Sequence, residues 1–312
     1  MAPPIRGLHH VTATVAGAQD DLDFYVRLLG LRLVKKTVNF DNRGVYHFYY
    51  GNESGAPSTL MTTFPYGDLG VPMGRKGSGQ VTETAFSVPS DALDAWESRL
   101  READLSCRRS QRFANETLSF EDPSGLRIEL IGADDGRAPW VEGSVDAPYA
   151  IRGIHSVTLR LRETAATLAM LTEALGFRVH DDSGGRTRVA VQDGRPGELL
   201  DLLHDPDARE AVNGLGTVHH VALAVDDDEA QSWYRERLLE AGRHVTEVKD
   251  RQYFRSIYFR GPGGVLFEIA TIPPGFEVDE PLDGLGRSLK LPPWEEHHRA
   301  SIEAELADVE IP

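Results

Sequence analysis

Cysteine is almost absent from this chain of 312 residues: Cys107 is its single example. A lone cysteine excludes an internal disulfide framework and a cysteine-built zinc site. No stretch approaches the ~18 uninterrupted apolar residues of a helical membrane span. The opening MAPPIRGLHHVTATV has one arginine and no apolar signal core, so no secretory leader is read and a cytoplasmic location is expected. Basic residues are also scarce: 33 Lys and Arg against 49 Asp and Glu give a net charge of −16. No Lys/Arg run forms a basic patch. Such a surface repels nucleic acid phosphates and anionic lipid, so a small molecule is the expected partner, with no nucleic acid and no membrane. The 40% hydrophobic and 26% charged content is ordinary for a globular chain, and the length suits about two domains.

What the chain has is repetition. GLHHVTATV at 7–15, QVTETAFSV at 80–88, GIHSVTLRL at 153–161 and TVHHVALAV at 217–225 all alternate like strands. Each precedes apolar residues three and four apart, the spacing of a helix facing a core: Leu22, Tyr25 and Leu29 in the first, Leu93, Trp96 and Leu100 in the second. Gly30, Gly176 and Gly242 stand where helices end. Further short strands complete each unit, closing on STLMTTF, LRIELIG, ELLDLLH and LFEIATI. Units of βαβββ begin near residues 5, 79, 150 and 214. The polar segment 132–148 reads as a linker between an N-terminal domain at 5–135 and a C-terminal domain at 150–275, each of two units; a tail at 276–312 carries a short helix near 294–307. Superposing the units aligns His10, Glu83, Ser156 and His220 at one position, and Thr62, Glu129, Asp201 and Glu268 at another.

This layout, with HHV on a first strand and Glu on a last, resembles the vicinal oxygen chelate superfamily of glyoxalases, extradiol dioxygenases and antibiotic-resistance proteins. The resemblance covers about residues 5–275. It implies an α+β fold: four βαβββ modules paired into two open cupped mixed β-sheets with flanking helices. Each cup can hold a metal through first-strand and last-strand side chains. Pairing modules one and four gathers His10, Thr62, His220 and Glu268, a 2-His-1-carboxylate set of the kind non-haem Fe(II) oxygenases use. Pairing one with two would separate the histidines, so chemistry favours the former. The other cup then holds Glu83, Glu129, Ser156 and Asp201, without an imidazole. It reads as a degenerate structural partner, with a hard cation as the minor reading. Strand alternation puts His9 and His219 on the face opposite His10 and His220.

The chain is most similar to one branch, the hydroquinone ring-cleaving dioxygenases of chlorohydroquinone and methylhydroquinone type. The similarity lies in HHVT at 9–12, HH at 219–220, Glu268, and the C-terminal PPGFEVDEP and LPPWEEHHRA. It implies His10, His220 and Glu268 as ligands of Fe(2+), with Mn(2+) suited to the same set. It also implies catalytic or supporting roles for His9, Thr12, His219, Arg251 and Tyr258. The implied reaction inserts both atoms of O2 into a small hydroquinone- or catechol-type aromatic. One rival is a glyoxalase-like isomerase or lyase; Thr62 stands against it, because those enzymes carry Glu or Gln there. Another is a non-catalytic aromatic-binding protein, against which the full ligand set stands. On the strand through residues 47–50, one parity, such as His47 with Tyr49, lines the cup. Glu129 reads as a relic and His297 and His298 as solvated. Edge strands leave a homo-oligomer open.

Overall fold

Each repeat folds as a strand, a helix and three further strands in this computed structural model, which describes residues 2–312. Module one comprises β1 (Gly7–Val15), α1 (Ala18–Leu22), β2 (Arg32–Asn39), β3 (Asn42–Gly51) and β4 (Leu60–Pro65). Module two has β5 (Gln80–Val88), α2 (Leu93–Glu102), β6 (Arg108–Arg112), β7 (Asn115–Glu121) and β8 (Arg127–Gly132). Module three has β9 (Gly153–Leu161), α3 (Ala165–Ala169), β10 (Arg178–Ser183), β11 (Arg186–Ala190) and β12 (Leu199–His204). Module four has β13 (Thr217–Val225), α4 (Asp228–Glu240), β14 (Lys249–Asp250), β15 (Phe254–Arg260) and β16 (Leu266–Pro274). In modules one and three the helix continues as a π-helical turn, Asp23–Leu28 and Met170–Ala174.

Two eight-stranded sheets result, ordered β14-β15-β16-β13-β1-β4-β3-β2 and β10-β11-β12-β9-β5-β8-β7-β6. Modules one and four therefore share a sheet, as the histidine chemistry favoured, and two and three share the other. First strands meet antiparallel at each centre, and each runs parallel to its own module's last strand. Each sheet draws one module from each half of the sequence, so the segment 132–148 links the halves without dividing the sheets. The parallel register repeats in all four modules: Thr12 pairs with Thr62, Ala85 with Glu129, Thr158 with Asp201 and Ala222 with Glu268. In each case the first-strand residue lies two beyond the aligned His10, Glu83, Ser156 or His220.

The outer faces of both sheets and the helices share one apolar core, built from residues such as Leu8, Val11, Leu22, Phe86, Trp96, Val157 and Val221. Parity along the first strands is not constant. On β1 the core takes Leu8, then Val11, Ala13 and Val15. A bulge lies between, where the ladder to β13 steps from Leu8 directly to His10. Matching steps skip His219 on β13, His155 on β9 and Thr82 on β5. A bulge sets two successive side chains on one face. The expectation that His9 and His219 point away from the cup is corrected: each sits beside its neighbour on the cup side.

Gly216 leads into β13 at a φ of +75°, where a Cβ would come 2.2 Å from the Ser124 carbonyl oxygen, so glycine is required. The tail packs onto the first sheet. Phe276 and Leu285 join Tyr49, Tyr253 and Phe254 in a second apolar cluster that fills one end of the cup. Fully buried Lys35 ties the tail to β2 through Asp279 (2.6 Å), Glu280 (2.5 Å) and the Phe276 carbonyl (3.1 Å). The last helix, α5 (Arg299–Glu305), is shorter than the sequence suggested and buries Ile302 against Val38. Among the described residues no helix is long and apolar enough to cross a membrane.

Behind the first sheet, Asp21 of α1 accepts from Tyr50 (2.6 Å) and Thr63 (2.5 Å) while Asp122 lies nearby. Burial raises the Asp21 carboxyl to about 8, overcoming those hydrogen bonds. The folded chain thus keeps a proton that the unfolded chain releases near pH 4. Stability from this group is full below that pH and drains away as pH climbs towards 8. Asp21→Asn retains an acceptor for both hydroxyls and abolishes the titration. Thermal unfolding should show the variant melting above the parent at pH 9 and level with or below it at pH 5.

Candidate metal centre

His10 on β1, His220 on β13 and Glu268 on β16 converge at the centre of the first cup, each with one ligand atom within 4.8 Å of the others. All three are buried. His10 Nε2 lies 3.2 Å from His220 Nε2 and 3.4 Å from Glu268 Oε2; His220 Nε2 lies 2.8 Å from the same oxygen. Three donors on one face of an octahedron, with bonds of about 2.1 Å, stand about 3 Å apart. The observed triangle matches that spacing.

The remaining polar atoms are already committed, which aims the free ones inward. Ser256 on β15 donates to Glu268 Oε1, while Oε2 is buried without a hydrogen-bond partner. His10 Nδ1 meets His9 Nδ1 at 2.9 Å, and His220 Nδ1 meets His219 Nδ1 at 2.8 Å. If each inner imidazole donates from Nδ1, its Nε2 carries a lone pair towards the centre, which fixes tautomer and ring orientation as in known metal sites. An orphaned carboxylate oxygen and two inward lone pairs in a buried site fit a divalent cation. Burial pushes the Glu268 carboxyl up, but in the alternative state, with His10 and His220 charged and donating to it, they outweigh burial and hold it well below the usual range. Burial and then His10 bring His9 down to about 3; burial and then His220 do the same to His219. Both outer imidazoles are therefore neutral at pH 7.

The centre opens on a cavity of about 230 Å³. Phe40, Tyr49, Phe64, Tyr66, Phe254 and Tyr258 give it aromatic walls. His47 and Tyr49 face inward, which settles the parity of β3. Of the remaining residues singled out from the sequence, His219 and Arg251 also line this space, whereas His9 stays behind His10, packed on Phe254 at 4.9 Å between ring centres. Thr12 bonds Thr62 at 2.7 Å, and Thr62 bonds His47 at 3.0 Å. The fourth position thus has its hydroxyl occupied within the wall. Arg251 Nε donates to the Tyr258 hydroxyl at 3.1 Å. Its guanidinium also reaches Asp41 of the β2–β3 turn at 2.8 Å, bridging opposite rims of the sheet. Burial opposes the Arg251 charge, yet Tyr258 and Asp41 raise its pKa overall. Burial and then Glu268 keep the Tyr258 phenol protonated. Sequence reasoning did not single out Ser256, Asn39, Asp41 or Tyr66. Only Ser256 left a usable sign, a polar residue on a strand paired with the Glu268 strand.

The second cup differs in kind. Glu83 meets Arg112 and Arg186 at 3.1 Å and Arg127 at 3.2 Å. Arg112 also clasps Glu129, and Arg188 holds Asp201 by two bonds at 2.7 and 2.9 Å. Four guanidinium groups neutralise three carboxylates, so the hard cation entertained for this cup has no vacant charge to bind. The structural reading stands.

The sequence profile of the Glyoxalase/Bleomycin resistance protein/Dioxygenase superfamily matches residues 7–130 and 153–269. A Bacillus subtilis protein provisionally named ring-cleaving dioxygenase MhqO is 41% identical over 312 residues, covering 100% of this chain and 99% of that protein. The chlorohydroquinone/hydroquinone 1,2-dioxygenase of Sphingobium indicum is 38% identical over 93% of this chain and 92% of its own. A crystal structure of a provisionally assigned Bacillus subtilis dioxygenase superposes with a TM-score of 0.95 at 40% identity, over 100% of this chain and 99% of that one. Zea mays glyoxalase I shares the fold, with a TM-score of 0.63 at 16% identity over 85% of this chain and 92% of its own.

Proposed function

The chain belongs to the Glyoxalase/Bleomycin resistance protein/Dioxygenase superfamily, and from that premise we propose that it is an Fe(II)-dependent, extradiol-type ring-cleaving dioxygenase that inserts both atoms of O2 into a hydroquinone-type aromatic. The observation that carries this reading is the orphaned Glu268 oxygen facing two imidazole Nε2 atoms beneath an aromatic cavity. His10, His220 and Glu268 would hold the ion. When bound there, iron would supply Lewis-acid and redox chemistry towards a phenolic oxygen and O2.

The chain's own residues do the rest. Phe40, Phe64 and Phe254 hold the ring and exclude water. His9 and His219, kept neutral, fix the inner imidazoles. Tyr258, with Arg251 donating to its oxygen, presents a protonated phenol to negative charge developing on the substrate. Thr62 is occupied by Thr12 and His47, so it does not add the fourth ligand that the isomerase reading expects.

Tyr258→Phe should lower kcat by roughly 10²-fold, the usual cost of one such donor, with bound metal unchanged by elemental analysis. The reading itself is tested by O2 uptake of anaerobically Fe(II)-loaded protein, with Mn(II) in parallel, given hydroquinone, methylhydroquinone, chlorohydroquinone or catechol. Uptake matched one-to-one by ring-opened product supports it. Bound metal with no uptake from any of the four overturns it and favours an isomerase.

A further inference from the structure

The cavity has a second polar pole. His10, Thr12 and Thr14 follow one another along the cup face of β1, and Thr14 pairs with Phe64 on β4. Tyr66 lies two residues past Phe64. By the ~3.3 Å rise per strand residue, its backbone is more than ~13 Å along the strand from His10, and its ring leans back to line the same space. Between the poles stands Phe64, whose ring centre is 6.3 Å from both Tyr66 and His219, and Phe40 also lines the space.

The Tyr66 hydroxyl oxygen is held in place by a neighbour. Asn39, mostly buried at the end of β2, has its side-chain carbonyl occupied by the Asp41 amide N–H at 2.9 Å. That fixes the amide, whose Nδ2 donates to the Tyr66 oxygen at 3.0 Å. Tyr66 therefore accepts from Asn39. Among the residues whose side chains are described, none accepts its own proton, and Tyr66 is only partly buried. A hydroxyl whose oxygen is placed by Asn39, on the lining of an aromatic cavity, suits one ligand feature: a hydrogen-bond acceptor on the ring position opposite the oxygen held at the histidines.

We propose that Tyr66, positioned by Asn39, determines specificity by donating to the substrate oxygen farthest from His10, His220 and Glu268. This rests on the ring-cleaving reading for the substrate class. Asn39 acts through Tyr66 and is a positioning residue. A ring with hydroxyls at opposite ends engages both poles; one with a methyl group at the far end engages only the first.

The test is calorimetric binding of hydroquinone and of 4-methylphenol to Fe(II)-loaded protein under argon, alongside kcat and KM for hydroquinone in air. Tyr66→Phe should weaken hydroquinone binding and raise KM about tenfold, equivalent to ~1.4 kcal/mol. It should leave 4-methylphenol binding and kcat within about twofold. Asn39→Ala should raise KM severalfold with kcat preserved, while Asn39→Asp, which keeps the acceptor for the Asp41 N–H but loses the donor to Tyr66, should not restore it. Unchanged hydroquinone binding in Tyr66→Phe overturns the assignment. So does equal weakening of both ligands, which marks a packing role, and so does parent protein that fails to bind hydroquinone. If the parent binds hydroquinone and consumes no O2, the dioxygenase reading falls, while the binding difference still decides the role of Tyr66.

Discussion

His220→Ala will leave a folded protein that no longer retains a metal ion and has lost at least about 10³-fold in kcat/KM, or ~4 kcal/mol of transition-state stabilisation. The reason is local. His220 Nε2 is 2.8 Å from the one Glu268 oxygen that nothing else satisfies. Without the imidazole, a carboxylate and a single histidine remain, and the donor triangle is broken. The fold should survive, because β13 is held by main-chain pairing to β1 and β16 and by Val218, Val221 and Leu223 in the core. Elemental analysis after dialysis reads the metal, circular dichroism reads the fold and oxygen uptake reads the activity. A variant that keeps a stoichiometric metal ion would remove His220 from the ligand set.

Asp201→Asn will have the largest effect on stability. Asp201 is wholly buried and receives two bonds from Arg188, itself almost fully enclosed. Removing one partner of such a pair leaves a charge without compensation and typically costs about 3–5 kcal/mol. With about 2–4 °C per kcal/mol for chains of this order, the melting temperature should fall by roughly 6–20 °C. The pair need not be net stabilising, and a matched apolar replacement of both residues should recover most of the loss. Metal content and kcat should stay within twofold of the parent, since the damage lies in the other sheet. A stable Asp201→Asn protein with impaired turnover would show that the second cup serves catalysis.

Much of this was legible in the sequence. Four repeats gave four modules, and the internal alignment of His10 with His220 and of Thr62 with Glu268 survives as shared strand register. The pairing of modules one and four followed from requiring two imidazoles in one cup. The bulges were not read, yet their sign is present. Core residues fall at Leu8, Val11, Ala13 and Val15, at Ile154, Val157 and Leu159, and at Val218, Val221 and Leu223. Each set has a gap of three followed by gaps of two, where unbroken alternation would give only twos. The gap holds the residue pair that strict alternation wrongly splits between faces. The arginine lock of the second cup was harder to see. Arg112, Arg186 and Arg188 are distant in sequence from Glu83, and charges on exposed-looking strands carry no label of burial. Asn39, Asp41 and Tyr66 lie in or beside turns, where period gives no guidance.

The pairing of the first module with the last also fixes when the centre can exist during synthesis. His10 and His220 are separated by 210 residues of chain. At about 5–20 residues per second, a ribosome needs roughly 10–40 s to bring out the second histidine after the first, and Glu268 comes later still. Through that interval β1 lacks its central neighbour β13, and one edge of the strand is open to other chains. The nascent chain therefore offers no finished site to a metal ion. Loading must follow release or final strand pairing, and a polypeptide stalled within the fourth module would carry most of the fold and none of the chemistry.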